Sequence, residues 1–306
     1  MNFINPKTDF AFKRIFGSEQ NKDILISFLN AILYEGNSII QNLDILNPYQ
    51  APRIRGVKDT YLDVKAILNN QQSVIIEMQV LNVEGFEKRI LYNAAKAYSM
   101  QLEIGQEYTL LNPVIALTIT DFEMFSHFDK AISRFILKER EFLVDYPLYD
   151  LELVFVELPK FVKELEELET LTEQWIYFLK SAAKVKEVPE KIGRVPEIRK
   201  AFEVANIATL NREELEELEQ REIYIMDQRN AIKKAARQAL EQGLQQGLEQ
   251  GLQQGLEQGL QQGLEQGLQQ KSLEIAKRLL DILDEAAISQ ITGLSLEDVQ
   301  RLKEER

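Results

Sequence analysis

The chain reads as a mixed α/β domain, a sheet with helices packed on it, continued by an all-helical extension. Three observations predict this. Helical and strand-like apolar periodicities follow one another through the first half in the order helix, strands, helix, strand. Apolar residues make up 45% of 306 residues, ample for a packed core. Beyond residue 160 the composition turns to strongly helical Leu-Glu-Glu-Leu-Glu runs and then to a Gly-Leu-Gln-Gln repeat.

The elements follow in order. Thr8 or Asp9 can cap a short helix through Phe16 that stops at Gly17, with Phe10, Phe12, Ile15 and Phe16 as its apolar surface. Asn21 starts a second helix, with Ile24, Leu25, Phe28, Leu29 and Ile32 at helical spacing. Leu43–Leu46 is a short strand before Asn47-Pro48. Two β-branched-rich runs, Tyr61–Leu68 and Ser73–Val80, flank Asn69-Asn70-Gln71-Gln72 and predict a hairpin. Residues 86–103 form an amphipathic helix with Ile90, Leu91, Ala94, Tyr98 and Leu102 inward, ended at Gly105. Val114–Thr120 and Leu151–Glu157 are strands, the first buried. Between 160 and 235, Trp175, Ile176, Phe178 and Leu179 pack a helix onto the core, and Pro189, Gly193 and Pro196 mark a break.

The hairpin carries the chemistry. Strand side chains alternate between faces, so Asp63 and Lys65 share one face of the first run, and Glu77 and Gln79 one face of the second. Carboxylates in strong strands are costly unless paired or bound to a cation. A turn centred between Asn70 and Gln71 sets Asp63 opposite Met78. One centred on Asn70, which needs an odd loop or a bulge, sets it opposite Glu77. In the second register two carboxylates project side by side, an oxygen-ligand site suited to magnesium or manganese. The plain alternative is a half-exposed hairpin with ordinary polar residues outside.

Composition narrows the classes. With no cysteine there is no disulfide, thiolate chemistry or Cys-based zinc site, and the lone His127 leaves no multi-histidine metal site. No apolar run reaches the ~18 residues of a membrane span and no signal-peptide core is evident, so a cytoplasmic protein is expected. The net charge is −13, unfavourable for a simple nucleic-acid surface. It is unevenly spread. Residues 1–100 hold 11 Lys and Arg against 10 Asp and Glu, a net of +1, whereas the remainder holds 25 against 39, a net of −14. A phosphate-binding face is therefore expected in the first third.

Asp9-Phe10-Ala11-Phe12-Lys13 with Phe16-Gly17, then Leu62-Asp63-Val64, Glu77-Met78-Gln79 and Arg89-Ile90-Leu91-Tyr92, occur in an order that resembles the PD-(D/E)XK nuclease family transposases, the recombination-promoting nucleases. The resemblance covers roughly residues 1–160. It implies a restriction-endonuclease-like mixed sheet core and metal-dependent cleavage of DNA phosphodiesters, with Mg2+ or Mn2+ as cofactor and DNA as partner. By motif, Asp63 and Glu77 take the places of the metal-binding acids. Gln79 stands where many relatives have lysine, and Asp9 and Lys13 match the N-terminal helix motif. Lysine can stabilise phosphorane charge, whereas a neutral amide can only orient water, so Lys13 or Lys65 is a candidate for the missing cation. Lys13, Lys65, Arg89 and Tyr92 are the candidate DNA contacts. Lys13 and Arg89 could equally be solvated helix charges, and an N-cap explains Asp9 without chemistry.

The expected organisation is a nuclease-like domain over 1–160, a helical extension over 161–235, a low-complexity repeat over 236–270 and a small helical unit over 271–306. In the repeat, glycine recurs at 243, 247, 251, 255, 259, 263 and 267, each followed by leucine. Four residues advance a helix by about 400°, so neither stripe stays on one face, against a long left-handed coiled coil. A marginal helix, a flexible spacer or close pairing across the glycines are all compatible. Ser272–Asp281 is helical, and Ala286–Arg306 reads helix-turn-helix, with Thr292-Gly293-Leu294 as turn and Ser295 and Asp298 as a capping pair. Over residues 285–306 the net charge of −2 favours packing or homo-oligomerisation over duplex reading. Two functions follow: a metal-dependent DNA endonuclease associated with recombination or transposition, or a catalytically weak DNA-binding or oligomeric interaction protein derived from that fold.

Overall fold

The computed structural model describes residues 2–50 and 60–304. The chain divides into two compact units, residues 1–230 and 231–306. In the first, the elements run α1 (Asp9–Phe16), α2 (Lys22–Tyr34), β1 (Leu43–Leu46), β2 (Tyr49–Gln50), β3 (Thr60–Tyr61), β4 (Val64–Leu68), β5 (Ser73–Gln79), α3 (Phe86–Ser99), β6 (Val114–Thr120), β7 (Ile132–Phe135), β8 (Leu151–Glu157), α4 (Leu171–Ser181), α5 (Glu190–Gly193) and α6 (Pro196–Val204). Helix α7 (Arg212–Leu279) follows, and then α8 (Glu285–Thr292) and α9 (Leu296–Glu304).

Among the described residues the main sheet has six strands in the order β1-β4-β5-β6-β8-β7, and β2 and β3 form a small ribbon of their own. β1, β4 and β5 are antiparallel neighbours, β5, β6 and β8 are parallel, and β7 returns antiparallel on the edge. This is the mixed α/β core with a helical continuation that the sequence predicts. β6 is buried at all seven positions. Its unbroken apolar run, Val-Ile-Ala-Leu-Thr-Ile-Thr, fits a central parallel strand covered on both faces.

The two sheet faces have different covers. Val64, Ala66, Val74, Ile76, Met78, Ile115, Leu117 and Val154 join Phe12, Phe16 and Phe28 of α1 and α2 and Trp175 and Phe178 of α4 in one core. Trp175 is fully buried, with Phe16, Phe28 and Phe178 rings at 5.6–5.8 Å and its indole N–H donating to Ser27 Oγ at 3.1 Å. On the other face Ile75, Val114 and Ala116 meet Ala94 and Ala97 of α3, and Phe155 meets Phe86 and Ile90. Helix α3 thus lies over the face that carries Glu77 and Gln79.

α1 has the expected caps: Thr8 Oγ1 accepts from Ala11 N–H, and Gly17 closes the helix on Lys13 O; Asn21 opens α2 without a side-chain capping bond. Several details differ from expectation. α3 ends at Ser99, before residue 103, and Leu91 faces outward because the inward stripe runs through Ile90, Asn93, Ala94 and Ala97. β7 is a strand the periodicity does not signal. His127 lies exposed in the loop after β6. That loop is held by Glu157, fully buried, which accepts from Met124 and Phe125 N–H and pairs with Lys160 at 2.8 Å.

The second unit begins within α7. The glycine-leucine repeat is helical throughout, and all its side chains are exposed. Beyond the repeat, Ala276 near the end of α7 packs with Ile288 of α8 and Val299 of α9, all fully buried, in a small core of their own. Gly293 turns between α8 and α9 at φ +72°, and Asp298 N–H donates to Ser295 Oγ at 3.1 Å, the capping contact expected there. Residues 305 and 306, the last two of the predicted helix-turn-helix stretch, lie outside the described residues.

Candidate active site

The hairpin loop decides which face each carboxylate takes. β4 and β5 pair Val64 with Ile76, Lys65 with Ile75 and Ala66 with Val74, the register centred on Asn70. The ladder stops at Val64: Leu62 packs with Ile75, Ala94 and Ala97 on the α3 side while Val64 packs on the α1 side, so the alternation breaks at Asp63 and its carboxylate is met by Lys13 of α1 rather than sharing a face with Glu77 as the second register predicts. The connection is Asn69-Asn70-Gln71. Leu68 N–H donates to Gln72 O at 2.8 Å and Gln71 N–H to Leu68 O at 2.9 Å, with Gln71 left-handed at φ +68°. This is the three-residue loop in which a type I turn is followed by one αL residue.

At the other end of the hairpin the ladder gives way to side chains. Asp63 N–H still donates to Ile76 O at 3.2 Å, but Met78 N–H is taken by Asp63 Oδ2 at 2.7 Å. The carboxylate is thereby fixed to the strand that bears Glu77. Lys13 Nζ reaches Asp63 Oδ1 at 3.5 Å from α1. Burial pushes the Asp63 carboxyl above its ordinary range against the pull of Met78 N–H and Lys13, and nearby Asp9 adds to the rise. Asp9 itself pairs with Arg221 of α7 at 3.4 Å.

Glu77 is served from α3. Arg89 Nε lies 3.3 Å from Glu77 Oε1, and Asn93 Nδ2 donates to Oε2 at 3.4 Å. Burial pushes the Glu77 carboxyl up as well; Arg89 opposes this, while the negative charge of Asp63 adds to it. Arg89 also donates from Nη2 to Gln79 Oε1 at 2.8 Å, and Gln79 Nε2 donates to Leu81 O at 2.8 Å. One guanidinium therefore serves both Glu77 and Gln79. Its planar fork makes this possible.

The structure thus brings Asp9, Lys13 and Asp63 together on one side, and Glu77, Gln79 and Arg89 on the other, with the two acids close enough to feel each other's charge. Tyr92 lines a cleft with Glu77. Lys65 stays out of this group. It is half-buried opposite Ile75, burial draws its ammonium pKa down, and among the described residues it pairs with none of the others. Tyr98, expected in the core, donates to Asp150 Oδ2 at 2.6 Å, and that bond pushes its phenol up to about 12.

Asn93 is the residue that sequence reasoning misses. It is 2% exposed, one helical turn after Arg89 on the same inward stripe, and its Oδ1 has no hydrogen-bond partner. An amide between Ile90 and Ala94 in an apolar stripe is the signal that could have marked it. Among the described residues no three His, Cys, Asp or Glu side chains are grouped closely enough to hold a metal ion by themselves. The arrangement is a two-carboxylate centre at the open end of a hairpin, with one cation from each flanking helix, on a mixed α/β sheet.

The class so defined agrees with comparison against known families. The model of the PD-(D/E)XK nuclease family transposases matches residues 6–235, three quarters of the chain, and the chain belongs to that family. Comparison with the curated proteins and with the solved structures gives no match. Among the described residues no helix is long and apolar enough to cross a membrane.

Proposed function

We propose that this chain is a metal-dependent DNA endonuclease whose centre is Asp63 and Glu77. The observation that carries the reading is the approach of two largely buried carboxylates at the open end of the hairpin, close enough to feel each other's charge, with Lys13 and Arg89 each set against one of them. Burial raises both carboxyls despite Lys13 and Arg89, and an amide oxygen of Asn93 beside Glu77 has no partner, so a further cation would be favoured there. Magnesium or manganese fits that donor set. These ions are satisfied by one or two carboxylates, neutral oxygens and oxygens of the substrate phosphate. Asp63 and Glu77 would hold the ion, with Asn93 Oδ1 as a neutral oxygen at hand.

A divalent cation held by Asp63 and Glu77 would lower the pKa of water toward neutrality, easing its deprotonation, and would offset charge on the phosphate. The protein's own groups do the rest. Lys13 and Arg89 draw the phosphodiester to the open end of the hairpin and share its negative charge. Arg89 takes the place of the lysine that Gln79 replaces, because its guanidinium lies against both Glu77 and Gln79. Gln79 Oε1 accepts from Arg89 and keeps a second lone pair with which to orient the attacking water. Asp9, already paired with Arg221, raises the Asp63 pKa without contributing a third ligand.

A second reading rests on Gln79, both ends of whose amide are engaged within the protein. On that reading the amide only braces the site, and the chain binds DNA without cutting it. Supercoiled plasmid incubated with Mg2+, Mn2+ or EDTA separates the two. Metal-dependent nicking that disappears in Asp63→Ala and Glu77→Ala supports the nuclease. Plasmid left intact but retarded in a gel refutes it in favour of the binding protein.

A further inference from the structure

The site opens beside Glu77 into a cleft of about 820 Å³ whose walls are aromatic and cationic. Tyr61, Phe86 and Tyr92 line it together with Lys88 and Arg89. Tyr61 is 70% exposed, so its ring contributes little to the core. It is steadied from its cross-strand partner, the Tyr49 ring, at 4.8 Å. The two walls are fastened to each other, since Lys96 Nζ donates from α3 to Gln50 O in β2 at 2.8 Å and lies 5.9 Å from the Tyr92 ring. On the opposite side of Tyr92's helix turn, the Arg89 guanidinium lies 5.0 Å from the Phe86 ring. The cleft is therefore preorganised, with ring faces and two cations next to Glu77.

Within a duplex, base faces are covered by their neighbours, and a side-chain ring can reach only edges and backbone. An unpaired nucleotide offers a bare face. Aromatic side chains beside phosphate-binding cations are the means by which proteins hold such nucleotides. We propose that this cleft takes an unpaired base of a DNA strand, stacked on Tyr61 and Tyr92, with the adjoining phosphate against Arg89 and Lys88. The preferred substrate is then DNA with a single-stranded or opened segment at the cutting position. The proposal rests on the nuclease reading for its catalytic meaning, but the base site can be tested without cleavage.

The full-length chain is titrated in EDTA against a fluorescein-labelled single strand and against the same sequence as duplex, with anisotropy as readout. A 2-aminopurine placed in the single strand reports stacking. The single strand should bind more tightly and its 2-aminopurine should be quenched. Tyr61→Ala should weaken single-strand binding roughly tenfold and relieve the quenching while duplex binding changes less than twofold. Tyr61→Phe, which keeps the ring, should restore both. Equal affinity for the two DNAs, equal losses on both in Tyr61→Ala, or no binding of the single strand would overturn the base site. Plasmid cleavage run in parallel keeps the two readings apart. A duplex-preferring, Asp63-dependent nuclease overturns the base site alone, and Tyr61-dependent single-strand binding without cleavage overturns the nuclease alone.

Discussion

Removing the Asn93 side chain should loosen the proposed metal centre without unfolding the protein. Asn93 Nδ2 donates to Glu77 Oε2 at 3.4 Å, and Asn93 Oδ1 has no partner. A hydrogen bond to a charged group contributes roughly 1.5–3 kcal/mol, and one this long belongs at the weak end, about 1.5 kcal/mol. Because 1.4 kcal/mol is about a factor of ten, Asn93→Ala should weaken cation binding about tenfold. Partners that orient metal ligands typically affect affinity by about 10- to 100-fold, which agrees. The fold should be little affected, since the substitution also deletes a buried unpaired oxygen. Calorimetric titration with Mn2+ gives the affinity, and plasmid nicking against Mg2+ concentration should show the same shift in half-maximal metal, with a smaller change at saturation. An affinity within twofold of wild type, or a loss explained by a collapsed melting temperature, would refute the positioning role.

Three further outcomes are expected. Burial raises Asp63 and Glu77 above their ordinary values of 3.8 and 4.5, so in EDTA the stability they contribute is present below that range and is lost as pH rises through their raised values. Glu77→Gln should therefore gain melting temperature relative to wild type on going from pH 4 to pH 7; a flat difference refutes the assignment. Trp175→Ala empties a site enclosed by Phe16, Phe28 and Phe178 and should cost about 3–5 kcal/mol in urea unfolding. In the repeat, a Cβ added at any of the seven glycines meets nothing within 4 Å, so each Gly→Ala should favour the helix by about 1 kcal/mol. Circular dichroism on a 240–270 peptide should show helicity rising stepwise with each replacement.

How much of this was legible beforehand varies with how local the cause is. Caps such as Thr8 and Ser295 and the all-apolar β6 run are visible because their physics lies within a few residues. The carboxylates of the hairpin stand out as charges in strands, but two registers fit the sequence. The left-handed Gln71 that selects between them is unexpected, since glycine or asparagine is the usual occupant of that conformation. β7 escapes notice because Ile-Ser-Arg-Phe is short and half-exposed on a sheet edge. The double engagement of Arg89, and Asn93 beside it, depend on how α3 is laid across the sheet. No spacing along the chain encodes that, and the inward assignment of Leu91 fails for the same reason.

The three-residue loop at Asn69–Gln71 makes the centre sensitive to a particular kind of change. Most substitutions in an exposed loop are tolerated, and the loop touches neither acid. Deleting one of its residues is different, because a two-residue connection is the commonest way to close a hairpin and would form readily. The strand would re-pair one step over, its apolar side chains would turn toward the wrong cover, and Asp63 would lose its place against Met78 N–H and Lys13. For this gene, the hairpin tip is where an in-frame codon loss would do damage out of proportion to its chemistry. A second, compensating deletion or insertion within the hairpin could restore the pairing while leaving a changed loop length behind.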